Sequence, residues 1–177
     1  MSKQKHLKIV AIPGSLRSTS SSYKLLEIFS TLLPGDVDFQ IYNRVGYLPH
    51  FDDNDNDYKE VDDFRVLLRG ADAIVICTPE YAFGVPGSLK NALDWTVSSG
   101  EFVQKPVALI TASSQGEHCH AAMKLILTAI NARLSDDAML LVPFIRSKFD
   151  RDGQLKELSL KDDLQKVIDA LLRITHD

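Results

Sequence analysis

Apolar residues along this chain fall into two kinds of run that take turns. Short unbroken runs, Leu7 to Ile12, Ala73 to Cys77, Val107 to Thr111 and Ala138 to Val142, predict strands buried on both faces. Between them, apolar residues recur at spacings of three and four. Leu25, Leu26, Phe29, Leu32 and Leu33 form one such stripe, and Val61, Phe64, Val66, Leu67 and Leu68 form another. That spacing predicts helices lying on a sheet. Pro34-Gly35 ends the first helix and Gly70 the second. Val37, Phe39 and Ile41 alternate with polar residues, the mark of a peripheral strand, and a polar connector from Asn43 to Asp57 follows it. Further helices are predicted from Pro86 to about Val97, from Ala121 to Leu134 and from Leu160 to Ile174.

Strand and helix thus alternate five times with no linker, repeat or low-complexity break. The pattern predicts one α/β domain over residues 1–177: a doubly wound, flavodoxin-like sheet of five parallel strands in the order 2-1-3-4-5, with helices on both faces. Such sheets bind ligands beyond the carboxyl ends of their strands, where the first and third strands part. The two loops at that point begin at Gly14 and Pro79, and they have the most unusual compositions in the chain.

The first loop, Gly14-Ser-Leu-Arg-Ser-Thr-Ser-Ser-Ser22, places hydroxyls and Arg17 at the start of a helix. Unpaired N–H groups and the positive end of the helix dipole make that position an anion site, and a guanidinium adds a charge-assisted pair of bonds. Neither G-x-G-x-x-G nor G-x-x-x-x-G-K-[ST] is present, so the loop suits one terminal phosphate rather than a dinucleotide or a triphosphate. The second loop carries Tyr81 and Phe83 as flat faces, and Gly84 and Gly87 allow close approach to the backbone. A phosphate tail and a flat ring together describe flavin mononucleotide, FMN.

Gly14-Ser-Leu-Arg-x-x-Ser20 and Thr78-Pro-Glu-Tyr-x-x-x-x-Pro-Gly-x-Leu-Lys-Asn-Ala-Leu-Asp-Trp95 resemble the two signatures of the NAD(P)H-dependent FMN reductases, which include chromate and quinone reductases. Similarity continues through Lys105-Pro-Val and Phe149-Asp-Arg-Asp-Gly-Gln-Leu155. The resemblance implies that Ser15, Arg17, Ser20 and Ser22 hold the FMN phosphate. It implies that Pro79, Glu80, Tyr81 and Ala82 line the ring, mostly through backbone groups, with Ser113, Ser114 and Gly116 on its other side. It further implies a flavoenzyme in which FMN takes hydride from NAD(P)H and reduces quinones, flavins, azo or nitro compounds, or oxidised metal ions. A cytoplasmic location is expected separately, from the cysteine usage and the lack of an apolar leader. A dimer or a tetramer is expected, because the family's FMN site is shared by two subunits. The chain departs from the family at Ser22, where Asn is usual, at Ala82-Phe83, where Asn-Tyr is common, and at Glu117-His-Cys-His120, where the family is glycine-rich.

Composition narrows the alternatives. A formal net charge of −4 gives no electrostatic footprint for nucleic acid, and it is mild for an electron-transfer flavodoxin without its own NAD(P)H turnover. A regulatory protein that kept the fold but lost flavin is a third reading, supported only by Ser22 and Ala82. Cys77 and Cys119 suggest reduced thiols rather than a disulfide framework. No run approaches a membrane span, and Met1 to His6 carries no apolar signal region. Residues 52–57 lack the glycine and glutamate of a calcium loop. His118 and His120 do not share a helix face, so no metal is expected there. Asp94 and Trp95 are expected to cap and pack the third helix. The apolar stretch Met123 to Ile130 suits either an intrachain core or a homodimer interface.

Overall fold

The computed structural model describes residues 6–52, 54 and 57–176; the N-terminal residues 1–5 and much of the acidic segment 52–57 lie outside them. Five strands, β1 (Leu7–Pro13), β2 (Val37–Ile41), β3 (Ala73–Thr78), β4 (Val107–Ala112) and β5 (Met139–Val142), form one sheet in the order β2-β1-β3-β4-β5. Every pairing is parallel, with Ile9 opposite Phe39 and Ala73, and Val75 opposite Ala108. The predicted order therefore holds.

The alternation of side chains along each strand feeds two separate cores. Ile9, Ala11, Val75 and Cys77 point to α1 (Ser21–Leu32) and α5 (Leu158–His176), where they meet Leu25, Phe29, Leu164 and Ile168. Val10, Ile12, Ile74 and Ile76 point the other way, to α2 (Lys59–Gly70), α3 (Gly87–Asp94) and α4 (Glu117–Ala129). β3 and β4 are fully buried, which is why their sequences are unbroken apolar runs. β2 alternates because it is an edge strand with one face exposed.

Helix boundaries moved where side chains or left-handed residues intervened. Pro86 is the residue before α3 rather than its first turn, and α3 stops at Asp94, short of the expected Val97. α4 begins at Glu117, four residues ahead of the expected Ala121, because Gly116 supplies a left-handed cap with φ of 107°. It ends at Ala129, not Leu134. Asn131 turns left-handed at φ 57°, and the backbone from Asn131 to Arg133 pairs with Gln104, Lys105 and Val107 instead. One face of α4, Cys119, Met123, Leu127 and Ile130, belongs to the core, which accounts for part of its apolar stretch; Leu125 on the opposite face is exposed.

Trp95 and Asn91, at the end of the second motif, fasten the long connector after β2. The Trp95 indole and the Asn91 amide both donate to the Pro49 carbonyl at 2.9 Å, and the Asn91 carbonyl accepts from the Phe51 N–H at 2.7 Å. Asp94 pairs with Lys90 at 2.6 Å. Asp52 accepts a bond from the Tyr58 hydroxyl at 3.0 Å, so that carboxylate braces the connector. Among the described residues no helix is long and apolar enough to cross a membrane.

Candidate functional site: a cleft at the carboxyl edge of the sheet

Parallel strands deliver all their exit loops to one edge, so the loops after β1, β3, β4 and β5 meet there. They enclose a cleft of about 210 Å³ walled by Ser15, Arg17 and Ser20 to Ser22 on one side and by Pro79 to Tyr81 on another. Ala112 to Ser114 and Ile145–Arg146 complete it. Of the residues expected from the sequence, all but Ala82 and Gly116 lie in these walls; Ala82 follows Tyr81 in the chain, and the Gly116 N–H donates to the Glu80 carboxylate.

The β1 exit runs close against β3. The Gly14 N–H donates to the Cys77 carbonyl at 2.8 Å, and a Cβ on Gly14 would stand 2.2 Å from the Thr78 hydroxyl oxygen. Gly14 has no positive φ, so it is close approach to β3, not an unusual backbone angle, that requires glycine there. Ser20 caps α1, its Oγ accepting from the Tyr23 N–H at 3.2 Å. Ser15 Oγ accepts from the Arg17 N–H at 3.4 Å and lies 3.4 Å from the Tyr81 hydroxyl, linking the first loop to the third. Ser22 is buried, close enough to the Cys77 thiol to favour its ionised form slightly, so its hydroxyl is not turned to open solvent. The Arg17 side chain is exposed and has no ion-pair partner among the described residues.

The β3 loop makes a tight hairpin. Tyr81 and Gly84 exchange both backbone bonds, at 3.0 and 2.9 Å, across Ala82 and Phe83. Both central residues have positive φ, 48° and 58°, as in a type I′ turn. The left-handed strain thus sits on Ala82 and Phe83 and not on Gly84. Ala82 occupies the hairpin tip. Phe83 leaves the cleft and packs edge-on against His118, their ring centres 5.3 Å apart.

Glu80 does something its position in the motif did not reveal. Its carboxylate reaches across to α4, accepting from the Cys119 N–H at 2.9 Å and the Gly116 N–H at 3.3 Å. A carboxylate there meets unpaired N–H groups and the positive end of the helix. The bond clamps the β3 loop to the β4 loop. At Gly116 a Cβ would come within 2.9 Å of Leu141, so its left-handed conformation and its packing both favour glycine.

Neither cysteine is a nucleophile. Burial pushes the Cys77 thiol far up, and burial together with the nearby Glu80 carboxylate pushes Cys119 to about 11. His118 and His120 point apart: His118 meets Phe83, whereas His120 Nδ1 lies 2.9 Å from the Thr111 hydroxyl. Burial, with a smaller contribution from Lys124, lowers the His120 pKa. Among the described residues no group of three or more His, Cys, Asp or Glu could hold a metal.

Sequence reasoning missed the fourth loop. Ile145 and Arg146 follow β5, at the same carboxyl edge as the other walls, and that position was the available signal.

A five-stranded parallel sheet of this order, with a serine- and arginine-bearing turn after β1 and backbone-rich loops after β3 and β4, defines a flavodoxin-like protein. Residues 7–145 match the NADPH-dependent FMN reductase family, and the chain belongs to it. It is therefore an oxidoreductase with FMN as cofactor and a reduced nicotinamide nucleotide as donor, rather than a plain flavodoxin. An NAD(P)H-dependent FMN reductase of Pseudomonas aeruginosa is 28% identical over 177 residues, 93% of each chain. A 2-hydroxy-1,4-benzoquinone reductase from a Burkholderia species is 40% identical over 90 residues, covering 50% of this chain and only about half, 49%, of that protein. In fold, the chain is similar to the flavoenzyme NAD(P)H:(acceptor) oxidoreductase FerB from Paracoccus denitrificans, with a TM-score of 0.78, 23% identity, and coverage of 96% and 97% of the two chains.

Proposed function

We propose that the cleft at the carboxyl edge is the FMN site of a cytoplasmic quinone reductase formed by a single domain. The observation that carries the reading is an arginine without an ion-pair partner among the described residues, Arg17, beside the hydroxyls of Ser15, Ser20 and Ser22 at the start of α1, in one cavity with the Pro79–Tyr81 loop. These are the donors a phosphate monoester needs, and the loops opposite offer the flat, backbone-lined surface a tricyclic ring needs.

A cleft of about 210 Å³ is smaller than the roughly 300–1,000 Å³ of a site that encloses a whole ligand of this size. Arg17 and the α1 serines would hold the phosphate in the cleft, and the ring would extend beyond it toward Tyr81, itself half exposed. One ring face would then stay accessible. The chemistry FMN supplies when bound is hydride acceptance from NAD(P)H and electron delivery to an acceptor. The chain's own residues bind and orient. Arg17 and the serines fix the phosphate, and Glu80 holds the two ring-side loops at a set separation through α4. No side-chain acid, base or nucleophile is required, consistent with the suppressed ionisation of both thiols.

Quinones are the favoured acceptor class, because the relative that shares 40% identity reduces a hydroxybenzoquinone. The exposed Leu125 on α4 and the exposed Phe83, which packs on His118 in the first turn of the same helix, favour self-association as a dimer, or a tetramer of two dimers.

Arg17→Ala tests the site. Losing a charge-assisted bond costs about 1.5–3 kcal/mol, so FMN affinity should fall about 10- to 100-fold while riboflavin affinity stays near wild type. Flavin fluorescence quenching measures both. Equal losses for the two flavins would place the phosphate elsewhere.

A further inference from the structure

The turn after β5 carries features that the two motifs leave unexplained. Phe144 is held left-handed at φ 53° and exposed, and Arg146 follows it into the cleft wall. Arg146 is exposed and has no hydrogen bond or ion pair among the described residues, although its neighbours are firmly tied. The Phe144 and Ile145 N–H groups donate to the Ser114 and Ser113 carbonyls at 3.2 and 3.1 Å. Beyond it, Lys148 pairs with Glu157 at 2.6 Å, and Phe149 lies under the Lys24 ammonium of α1 at 5.6 Å. An ordered turn thus presents an unpaired guanidinium to a cavity that already holds another, Arg17. The cavity's one carboxylate, Glu80, is occupied at the start of α4.

Two unpaired cations in one small cavity repel each other unless an anion lies between them. A phosphate monoester carries about −1.5 to −2 at pH 7, with a second pKa near 6. Two guanidinium groups match its dianion, and one matches its monoanion.

We propose that Arg146 is the second arginine of the phosphate site, and that the pair Arg17–Arg146 makes this chain select the phosphorylated flavin in its dianionic form. The inference rests on the FMN reading of the cleft and deepens it. Ser15, Ser20 and Ser22 supply neutral donors on the α1 side of the cavity, and Arg146 adds its charge from the loop after β5. The bonds from the Phe144 and Ile145 N–H groups to the β4 loop hold that turn in place.

The test measures FMN and riboflavin dissociation constants for the full chain and for Arg146→Ala, Arg146→Lys and Arg17→Ala at pH 8 and pH 5.5. Arg146→Ala should weaken FMN about 10- to 100-fold at pH 8 and leave riboflavin within about twofold. Its penalty should shrink at pH 5.5, where the phosphate is largely the monoanion. Arg146→Lys, which keeps the charge but not the fork, should recover part of the loss. If Arg17→Ala weakens FMN selectively and Arg146→Ala does not, Arg146 is no part of the site, and the cleft reading stands without it. Equal losses of FMN and riboflavin in Arg146→Ala would make it a residue of the ring or of the loop, which overturns the proposal. If neither arginine discriminates between the flavins, the phosphate reading itself fails. Melting each flavin-free variant keeps a folding defect from passing as lost affinity.

Discussion

At the scale of single residues, the site depends on side chains whose roles lie in contacts across the sheet. Glu80 illustrates this. From the motif it reads as a lining residue of a flavin ring, yet its carboxylate is engaged by the Gly116 and Cys119 N–H groups at the start of α4. Glu80→Ala should therefore lower stability by about 1.5–3 kcal/mol, the usual effect of losing hydrogen bonds to a charged group. It should weaken FMN and riboflavin alike, because the ring-side loops lose their brace while the phosphate donors stay. Denaturant unfolding and the two flavin titrations check it; selective loss of FMN would contradict the assignment. His120 gives a second residue-scale expectation. Its pKa is lowered in the folded chain by burial, so the unfolded chain binds the proton more readily. Its neutral form is compatible with full stability above the ordinary value of 6.5, and stability is lost as pH falls below 6.5 toward the lowered folded pKa. His120→Gln should flatten the decline in melting temperature between about pH 7 and pH 5. An unchanged slope would mean that other groups set it.

At the scale of elements, the strands and the helix stripes were legible because their periodicity records burial directly: β3 and β4 are buried throughout, and β2 alternates at the edge. Helix ends were less legible, since they depend on partners remote in sequence. The start of α4 is set by Gly116 and by a carboxylate from residue 80, and its end by backbone pairing of residues 131–133 with 104–107. No local pattern encodes such contacts. The β3 hairpin shows the same limit. In the sequence Gly84 stands out as a position for close approach to the backbone, but the left-handed angles of the hairpin fall on Ala82 and Phe83. Alanine is strained there, whereas glycine and asparagine tolerate positive φ. Ala82→Gly should then stabilise the flavin-free protein by about 0.5–1 kcal/mol, and Ala82→Asn should act in the same direction. Thermal melting reads the difference, and a fall in melting temperature would show that the methyl group contributes packing that outweighs the strain.

At the scale of the whole molecule, the order of strands decides where chemistry can occur. Right-handed crossovers around a parallel sheet bring four exit loops to one edge. That is why two motifs about sixty positions apart predicted most of the cleft. The fourth wall escaped because Pro143 to Arg146 carries no motif, and only its place after the last strand marks it. If this cleft holds FMN as proposed, one face of the flavin is open to a nicotinamide donor. The most direct measurement loads the purified protein with FMN, removes oxygen and unbound flavin, and follows the visible flavin absorbance after NADPH or NADH is added. The expected result is stoichiometric FMN that bleaches with either or both donors and recovers its colour when a quinone is supplied. Bound FMN that stays yellow with both nucleotides would contradict it and leave a flavin carrier; a protein that retains no FMN would remove the cofactor from the cleft altogether.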